Sequence, residues 1–595
     1  MPKDKLRRRF ISFQLKAVFQ KFKPHALWLV LYAVISVVMS VLVILSVPIR
    51  SRFIDVVLTQ GNILQAILEL LLLNLFIAFL IRYGLPALLN HLAKLISHRV
   101  SLEVEHEIAQ KKASICWPYY ENPDVNDKIE LVKDAPEQIW FYVKGIISLS
   151  SMIISTIGVF LLLIQLGVFF AALLLVLFVP IAYYSIQAGS GYYDTWERTA
   201  KLRRYCDYQR DVMMDKTYAT ERALFEYTPF FMKRWEADYQ QTRSLSIKEE
   251  LKGSKKVQLS GVIFCLYIGV MVFVIINRLS ESQISAGDAV ALLSIFPLLI
   301  NNMIGDISNQ INQLVRSKRV IGAWMDFQAL EDEEGAFDLP EHGVDFSQIV
   351  FKQVSFRYSP TGNWVLKDVD MCLEKGKHYA IVGENGAGKS TLIKLILRLY
   401  RVSEGEILID GRNINEIPRK QLLGLVSALF QDHQRYYTTV SENIALGDVN
   451  RFCDEGQSAR SAEEAGLQGW IENMPGGYEA ILGTMNKGGV DISGGEWQKL
   501  AIARLIMSPC PLKILDEPTA AMDPLFEYAL YQDFNRIMES KTTITISHRL
   551  ASCRSADYIY VLDHGSVCEE GTHEALIQEG KKYCRMYTTQ KEMYA

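Results

Sequence analysis

The chain has 595 residues and a formal net charge of −3, and 50% of its residues are hydrophobic. This length exceeds what one hydrophobic core supports, so we expect at least two domains. The near-neutral charge excludes a bulk attraction to nucleic acid. The 9 cysteines have no C-x-x-C spacing, which indicates free thiols and excludes a disulfide framework or a zinc site.

Apolar segments dominate the first half of the chain. Each of six segments is long enough to cross a bilayer core, which takes about 20 helical residues. They lie near 26–48, 63–88, 141–165, 167–188, 257–279 and 287–305. Only residues 165–167 separate the third segment from the fourth, which predicts a tight hairpin.

The residues around the first span predict its orientation. Eight Lys and Arg residues precede this span, with one Asp among them, so we expect a cytoplasmic N-terminus. Six crossings then return the chain to the cytoplasm, where the interspan segments 89–140 and 189–256 also lie. The stretch 5–23, which mixes basic residues with Phe and Val, suits an interfacial elbow helix.

The two long interspan segments are rich in charge and predict helices that project well beyond the bilayer. Each is interrupted by a short aromatic stretch, at 117–123 and at 222–231. Exposed aromatic side chains at a helical turn are suited to dock into a groove on another domain. The alternative is a turn that packs within its own helical bundle.

A polar, acidic stretch at 331–335 separates this half from the rest of the chain. We therefore predict a transmembrane domain over 1–325, a linker over 326–346 and a second domain over 347–595.

Residues 383–390 fit the pattern G-x-x-x-x-G-K-[ST] without a mismatch. A strand-like apolar run precedes them and a helical run follows, as a phosphate-binding loop requires. Gly383, Gly386 and Gly388 allow the backbone to wrap closely around phosphate, Lys389 can reach the terminal phosphates, and Ser390 can bind Mg²⁺. A glycine-rich turn with a chance lysine would lack this context, so the sequence predicts binding of a nucleoside triphosphate.

Further motifs stand in a fixed order around this loop. They are Phe356-Arg357-Tyr358, Ala428-Leu429-Phe430-Gln431-Asp432, Ile492-Ser493-Gly494-Gly495-Glu496, Leu512-Lys513-Ile514-Leu515-Asp516-Glu517 and Ile546-Ser547-His548-Arg549. With the six spans, they resemble a half-transporter of the ABC exporter type, over nearly the whole chain. The resemblance implies an all-α six-span membrane domain with long cytoplasmic helical extensions, followed by an α/β P-loop ATPase domain.

The resemblance also implies roles for individual residues. Catalysis would fall to Glu517, which polarises the attacking water, to His548 and to Gln431. Mg²⁺ would be held by Ser390, Gln431 and Asp516. ATP would be bound by Tyr358, Gly383, Asn385, Gly386, Gly388, Lys389, Ser390, Thr391, Ser493, Gly494, Gly495 and Glu496.

Three positions depart from the family pattern. Ile492 replaces the usual Leu and Glu496 the usual Gln, and both changes are expected to be tolerated because the phosphate-facing atoms come from the backbone and Ser493. Lys487 stands at or near a place where exporters commonly have a glutamate that contacts the helical loops. This substitution puts that domain-coupling contact in question.

The segment Ile492-Ser493-Gly494-Gly495-Glu496 resembles the signature motif of the family. The chain has one phosphate loop and one such signature, which implies that it is half of a functional transporter. The resemblance predicts a dimer with two sandwiched ATP molecules, formed with a second copy or with a paralogous half-transporter. Closure of the nucleotide domains would open the cavity outward, and hydrolysis would reset it.

The predicted function is ATP-driven export of a hydrophobic or amphipathic peptide, lipid or drug across a bacterial cell membrane, with both termini cytoplasmic. Peptides are slightly favoured, and the absence of a peptidase-like domain before the first span predicts that a peptide cargo is processed elsewhere. Glu69, Arg82 and Lys144 are candidates for the translocation path; alternatively, Arg82 and Lys144 snorkel to the interface. An ATP-gated channel and a regulatory ABC protein are the alternative functions, whereas the spans argue against a soluble mechanical ATPase of the DNA-repair kind.

Overall fold

The computed structural model describes residues 16, 18–59, 64–300, 305–484, 487–517, 541–547 and 550–594. The chain divides into two compact units. The helical unit comprises 1–112 and 123–330, and the sheet unit comprises 113–122 and 331–595. The short segment 113–122 therefore groups with the sheet unit, although both of its chain neighbours belong to the helical unit.

The helical unit consists of helices of very different lengths. They are α1 (Ala26–Thr59), α2 (Leu64–Phe79), α3 (Leu85–Ser114), α4 (Pro123–Val132), α5 (Ala135–Leu163), α6 (Val168–Arg198), α7 (Ala200–Met214), α8 (Ala219–Phe225), α9 (Thr228–Ser280), α10 (Ala286–Leu293), α11 (Phe296–Ile300) and α12 (Ile307–Gln328). A π-helical segment, Leu80–Gly84, joins α2 to α3. Helices α3 and α9, with 30 and 53 residues, exceed the length that a bilayer core needs, as predicted.

Within the described residues, 5 helices are long and apolar enough to cross a membrane. They cover most of each of the first five predicted spans; the second begins at Ile67 and the fourth at Val168. The predicted hairpin after the third span is confirmed, because Gly167 turns the chain with a φ of 126° and α6 begins at the next residue. A positive φ of this kind is open to glycine and unfavourable for other residues.

The expectation of one helix across 287–305 is wrong for the described residues. Helix α10 ends at Leu293 and α11 begins at Phe296, while 301–304 lie outside the described part. Pro297 has no N–H with which to continue the backbone ladder to Leu293. The Ser294 hydroxyl donates a hydrogen bond to the carbonyl of Ala291 at 2.6 Å, which supports an end of the helix here.

Close packing holds the helical unit together. Leu163, Leu174, Phe264 and Met271 are fully buried in one cluster between the helices. Helices α1 and α5 approach so closely that a Cβ at Gly158 would lie 2.0 Å from Ile44 Cδ1. Small residues at such crossings allow helices to pack by direct van der Waals contact.

The sheet unit contains two sheets. Their strands are β1 (Gln348–Phe356), β2 (Leu366–Glu374), β3 (His378–Gly383), β4 (Glu404–Ile409), β5 (Arg412–Asn413), β6 (Val426–Leu429), β7 (Leu512–Asp516), β8 (Thr542–Ile546), β9 (Tyr558–Asp563) and β10 (Ser566–Gly571). An antiparallel sheet has the order β2-β1-β4-β5, and a mostly parallel sheet has the order β10-β9-β3-β8-β7-β6.

Helices cover these sheets, as in other α/β domains. They are α13 (Lys389–Ile396), α14 (Arg419–Leu425), α15 (Val440–Ala445), α16 (Glu455–Glu464), α17 (Gln468–Glu472), α18 (Gly494–Met507), α19 (His573–Glu579) and α20 (Lys582–Tyr594). The predicted fold class, an all-α membrane part followed by an α/β P-loop domain, is confirmed.

The mostly parallel sheet decides where the site forms. Strands β3, β7 and β8 run parallel, with Ile381 paired to Ile546 and Asp516 also paired to Ile546. Their carboxyl ends therefore meet at one edge of the sheet, which is where ligands bind in folds of this kind. The phosphate loop follows β3; of the two predicted carboxylates, Asp516 ends β7 and Glu517 follows it.

Candidate nucleotide site

The phosphate loop begins where β3 ends and leads into α13. A Cβ at Gly383 would lie 2.4 Å from the carbonyl oxygen of Leu562 on β9, so only glycine fits there. Gly388 adopts a φ of 100°, and a Cβ there would lie 2.6 Å from Leu366 Cδ2. Asn385 and Gly386 form the exposed tip of the loop between them. The backbone thus curves around the N-terminus of α13, where N–H groups can meet phosphate oxygens.

Lys389 occupies the first turn of α13, with 6% of its surface exposed. Its Nζ donates hydrogen bonds to the carbonyls of Gly383 and Glu384, at 2.8 and 2.9 Å, which hold the ammonium group inside the loop. Burial lowers the pKa of Lys389, and the carboxylates of Glu517 and Asp516 oppose that shift. The lysine and both predicted carboxylates therefore lie close enough to interact electrostatically.

Asp516 is the last residue of β7 and is buried. Burial raises the pKa of Asp516 above its ordinary value, although the Ser390 hydroxyl donates a hydrogen bond to it. A buried carboxylate beside a hydroxyl is a ligand set that suits a hard divalent cation. The predicted pair Ser390 and Asp516 is brought together by the fold.

Glu517 directly follows β7 and adopts a φ of 50°. Side chains of successive strand residues point to opposite faces, so a left-handed residue at this place changes the direction of the chain after Asp516. The backbone N–H of Glu517 donates to the carbonyl of Ile546 at 2.9 Å. A positive φ is unfavourable for glutamate, and such strain is often found at functional sites.

Gln431 meets Glu517 at this edge of the sheet. Its Nε2 donates a hydrogen bond to Glu517 Oε2 at 2.9 Å. These two predicted catalytic residues lie 86 positions apart in the chain and come together because β6 and β7 are parallel neighbours. The third predicted catalytic residue, His548, lies outside the described residues.

The predicted signature is the N-terminus of α18. Ser493 is the N-cap residue, and its Oγ accepts a hydrogen bond from the backbone N–H of Glu496 at 3.3 Å. Glu496 Oε2 in turn accepts from the N–H of Ser493 at 2.7 Å and from its hydroxyl at 2.9 Å. This reciprocal arrangement is a capping box. The Glu that replaces the usual Gln therefore stabilises the helix start, while a Cβ at Gly494 would meet nothing within 4 Å.

Lys487, the third departure from the family pattern, precedes the signature by a few residues. Lys487 is exposed, and Asn486 before it lies outside the described residues. A consequence of Lys487 for domain coupling therefore stays a prediction.

Tyr358, the predicted adenine-stacking residue, lies at the end of β1. Its hydroxyl and Thr391 Oγ1 share a hydrogen bond of 3.1 Å, which ties the ring to α13. Tyr400 packs against the ring edge to face, with centroids 5.2 Å apart, and Lys394 Nζ lies 5.3 Å from the ring centroid. Tyr358 nevertheless remains 45% exposed, so it can still receive a planar ligand.

Sequence reasoning missed Lys394, Tyr400 and Glu121 as neighbours of this site. Tyr400 donates a hydrogen bond to Glu121 Oε2, and Lys394 Nζ donates one to Glu121 Oε1 at 3.1 Å. Glu121 belongs to the first aromatic stretch, which was predicted to dock on another domain. The aromatic signal therefore selected the correct stretch, but the charged contact within it was not visible.

The second aromatic stretch stays within the helical unit. Glu226 has a φ of 48° and separates α8 from α9, and Phe225 and Phe230 beside it are exposed. Its predicted docking on another domain stays a prediction.

Lys513 is a further residue whose role the sequence did not reveal. It is the second residue of β7 and is 1% exposed. Its Nζ donates a hydrogen bond to the carbonyl of Leu505 at 2.7 Å and another to that of Ser508. Both carbonyls belong to the C-terminal end of α18, where a positive charge is favourable. Lys513 thereby links the strand of Asp516 to the helix of Ser493.

This burial has a consequence for stability. Burial lowers the pKa of Lys513 to about 7; the Cys510 thiol and Asp448 raise it slightly, and Lys541 lowers it further. An unfolded lysine keeps its proton up to about pH 10. Between these pH values the unfolded chain binds the additional proton, so stability rises with pH through this window, by at most about 1.4 kcal/mol per pH unit.

We expect Lys513→Met to remove that rise. The measurement is the thermal unfolding midpoint of the full chain in detergent between pH 7 and 9, followed by tryptophan fluorescence. Lys352→Met removes an exposed lysine paired with Glu406 at 3.7 Å and serves as the control. An equal pH dependence in Lys513→Met and the unaltered chain would contradict the assignment.

Comparisons with known proteins agree with this geometry. A family profile for ABC transporters matches residues 366–520. The chain is 26% identical over 608 aligned residues to a subtilin transport ATP-binding protein of Bacillus subtilis, covering 99% of this chain and 97% of that protein. It is 30% identical over 363 residues to an ATP-dependent lipid A-core flippase of Chromobacterium violaceum, covering 60% of each.

A solved structure shares the fold. The structure of a bacterial Atm1-family ABC exporter with ATP bound matches with a TM-score of 0.80 and covers 95% of this chain and 99% of its own. The sequence identity is 20%. Helical and sheet parts of both chains thus follow each other in the same order.

Proposed function

We propose that this chain, a half-transporter of the ABC exporter type, pairs with a second copy of itself and exports an amphipathic substrate at the expense of ATP. The observation that carries the proposal is the meeting of Lys389, Asp516, Glu517 and Gln431 at one edge of the sheet. Because this chain carries the carboxylate, the glutamine and the lysine that hydrolysis needs, it can hydrolyse ATP and not only bind it.

Hydrolysis depends on positioning and charge neutralisation. We assign Lys389 to the charge of the terminal phosphates and Tyr358 to the adenine ring. Glu517 would orient the attacking water and accept its proton, with Gln431 holding the carboxylate in place through their 2.9 Å hydrogen bond. His548 is proposed to contact the γ-phosphate.

Ser390, Asp516 and Gln431 are proposed to hold Mg²⁺. The fit rests on Asp516, whose buried carboxylate lies beside the Ser390 hydroxyl and interacts with the Lys389 ammonium group. When bound, the ion would neutralise phosphate charge. The residues of this chain would fix its position through one carboxylate, one hydroxyl and one amide oxygen.

The signature is proposed to complete the ATP site of the partner subunit. The N–H groups of Gly494 and Gly495 lie at the start of a 14-residue helix, where a phosphate is favourable. The Ser493 hydroxyl is engaged by Glu496, so it must exchange this carboxylate for a phosphate oxygen when the dimer closes. Glu496 would therefore oppose closure by like-charge repulsion, whereas the usual Gln would not.

A peptide is the favoured substrate class, because the near full-length relative is named for the transport of subtilin. A lipid is the second class, supported by a relative whose alignment covers 60% of each chain and is named a lipid A-core flippase. Glu69, Arg82 and Lys144 are proposed for the path. Glu69 and Arg82 lie on exposed surface of α2 and the π-helical segment, and Lys144 is half-buried in α5.

The test is an ATPase screen of the purified chain in lipid discs. Amphipathic cationic peptides, lipids and drugs are added in turn, and we expect a peptide to stimulate hydrolysis several-fold, because closure of the dimer is coupled to an occupied cavity. Stimulation by lipids alone would move the substrate class to lipids. An ion current that persists with Glu517→Gln would instead show an ATP-gated channel.

A further inference from the structure

Glu121 belongs to a cluster of charged and aromatic side chains that also contains Tyr358, the ring proposed to stack on adenine. It lies in the segment 113–122, which groups with the sheet unit. Backbone contacts fix this segment, because the N–H of Cys116 donates to the carbonyl of Glu331 at 3.2 Å and that of Glu333 donates to the carbonyl of Ser114 at 2.7 Å. The Glu121 side chain therefore starts from a well-held backbone.

Three donors converge on the Glu121 carboxylate. Lys394 Nζ and Trp117 Nε1 donate to Oε1, at 3.1 and 3.3 Å, and the Tyr400 hydroxyl donates to Oε2. Burial by itself would raise the pKa of Glu121, but the hydrogen bonds from Tyr400 and Lys394 outweigh it and the pKa lies below its ordinary value. The carboxylate is thus stabilised in its charged form.

Two of these donors, Lys394 and Tyr400, also contact the ring of Tyr358. Lys394 Nζ lies 5.3 Å from the Tyr358 centroid and 5.7 Å from that of Tyr400. Tyr400 stands perpendicular to Tyr358, at an interplanar angle of 89°. An ammonium group over an aromatic face and an edge-to-face ring pair both favour one ring orientation. Without Glu121, the flexible Lys394 side chain would lose the partner that keeps it there.

The cluster also reaches the phosphate-binding helix. Lys394 belongs to α13, which carries Lys389, Ser390 and Thr391, and Thr391 shares its hydrogen bond with the Tyr358 hydroxyl. Through Lys394, Glu121 is therefore connected both to the Tyr358 ring and to α13, the helix that follows the phosphate loop. Its chain neighbours on both sides are α3 and α4 of the helical unit.

We propose that Glu121 is a positioning residue for the adenine site: it orients the Tyr358 ring through Lys394 and Tyr400, and so makes the affinity for the base depend on the segment between α3 and α4. This inference rests on the proposed stacking role of Tyr358. A change in the position of 113–122 would alter the affinity of the Tyr358 ring for adenine without requiring a change in the phosphate loop.

The test compares a nucleotide with a ligand that has no base. The full chain carrying Glu517→Gln in lipid discs is titrated with Mg-ATP and with Mg-tripolyphosphate, so that hydrolysis does not interfere. We expect Glu121→Ala to weaken ATP binding roughly three- to tenfold, the scale of one cation–π and one aromatic contact. Binding of tripolyphosphate should be unchanged. Glu121→Gln, which keeps an acceptor for Tyr400 but loses the ion pair, should give a smaller effect in the same direction.

Glu406→Gln is the matched control. Glu406 pairs with Lys352 at 3.7 Å and its side chain is 43% exposed, as is that of Glu121 in its pair with Lys394. This variant removes an equally exposed carboxylate of the same unit without touching Tyr358. It should bind both ligands as the unaltered chain does, and all variants should unfold at the same temperature.

A double-mutant cycle with Tyr358→Ala distinguishes an error about the role of Glu121 from an error about the role of Tyr358. If Glu121 acts through the ring, Glu121→Ala has no further effect on ATP binding once Tyr358 is absent. An additive effect in that background, or equal weakening for ATP and tripolyphosphate, would overturn the inference while the role of Tyr358 stands. Unchanged ATP binding in Tyr358→Ala itself would overturn the adenine assignment, and the inference with it.

Discussion

Glu517→Gln is expected to lower the ATP turnover of the chain about 100- to 1,000-fold while ATP binding is preserved. The amide is nearly isosteric with the carboxylate and can still pair with Gln431, but it cannot accept a proton from the attacking water. General-base contributions of this kind are worth about 10²- to 10⁴-fold in rate. The measurement is steady-state hydrolysis in lipid discs, together with an ATP titration under non-hydrolysing conditions.

Glu406→Gln again provides the control, since it removes a carboxylate on β4 that has no part in the site. A residual turnover above about a tenth of normal in Glu517→Gln would assign the base to another residue. A loss of ATP affinity comparable to the loss of rate would show that Glu517 mainly holds the nucleotide or the loop.

The second large effect is complementation between two inactive chains. Lys389→Met removes the ammonium group of the phosphate loop but leaves the signature, and Gly494→Asp blocks the signature but leaves the loop. We expect each variant alone to lose hydrolysis about 100-fold or more, because each removes charge stabilisation of the transferred phosphate. A Cβ at Gly494 meets nothing within 4 Å, so the aspartate should not disturb the fold.

A mixed dimer of the two chains distinguishes a shared site from a self-contained one. If the signature of one chain completes the loop of the other, the mixed dimer has one intact site and should hydrolyse bound ATP in a single turnover, about 100-fold faster than either parent dimer. If each chain used its own signature, both sites of the mixed dimer would stay defective. The mixed dimer is isolated with two affinity tags, and the parent dimers prepared in the same way are the controls.

Local patterns in the sequence determined much of the fold and of the site. The spacing of Gly383, Gly388, Lys389 and Ser390, placed between an apolar strand and a helix, predicts the phosphate loop because all of its atoms come from consecutive residues. Glu517 was predicted for the same reason, as a residue just past a buried strand. The apolar runs predicted five of the spans, since bilayer thickness sets the length of such a helix directly.

Departures from these predictions arose where one residue interrupts a pattern. The sixth apolar run keeps its hydropathy across Pro297, yet the helix is interrupted between Leu293 and Phe296, because proline lacks the N–H that would bond to the Leu293 carbonyl. Glu496 was expected to be tolerated in place of the usual Gln; that its side chain forms a capping box with Ser493 was not predicted. In each case the composition of the segment predicted the type of element. The local structure depended on one residue, through the missing N–H of Pro297 or the carboxylate of Glu496.

Contacts between distant residues were decided by the tertiary structure alone. Glu121 and Tyr400 are 279 positions apart, and nothing in the composition of either segment specifies that a carboxylate of one meets a hydroxyl of the other. Lys513 reads as an ordinary charged residue until β7 is covered by α18, which removes its side chain from water and supplies two carbonyls in exchange. The sequence by itself determined the loop, the strand ends and the apolar helices, because these depend on neighbours along the chain. The pairing of Gln431 with Glu517, and of Glu121 with Lys394, depended on strand order and on where a segment returns in space.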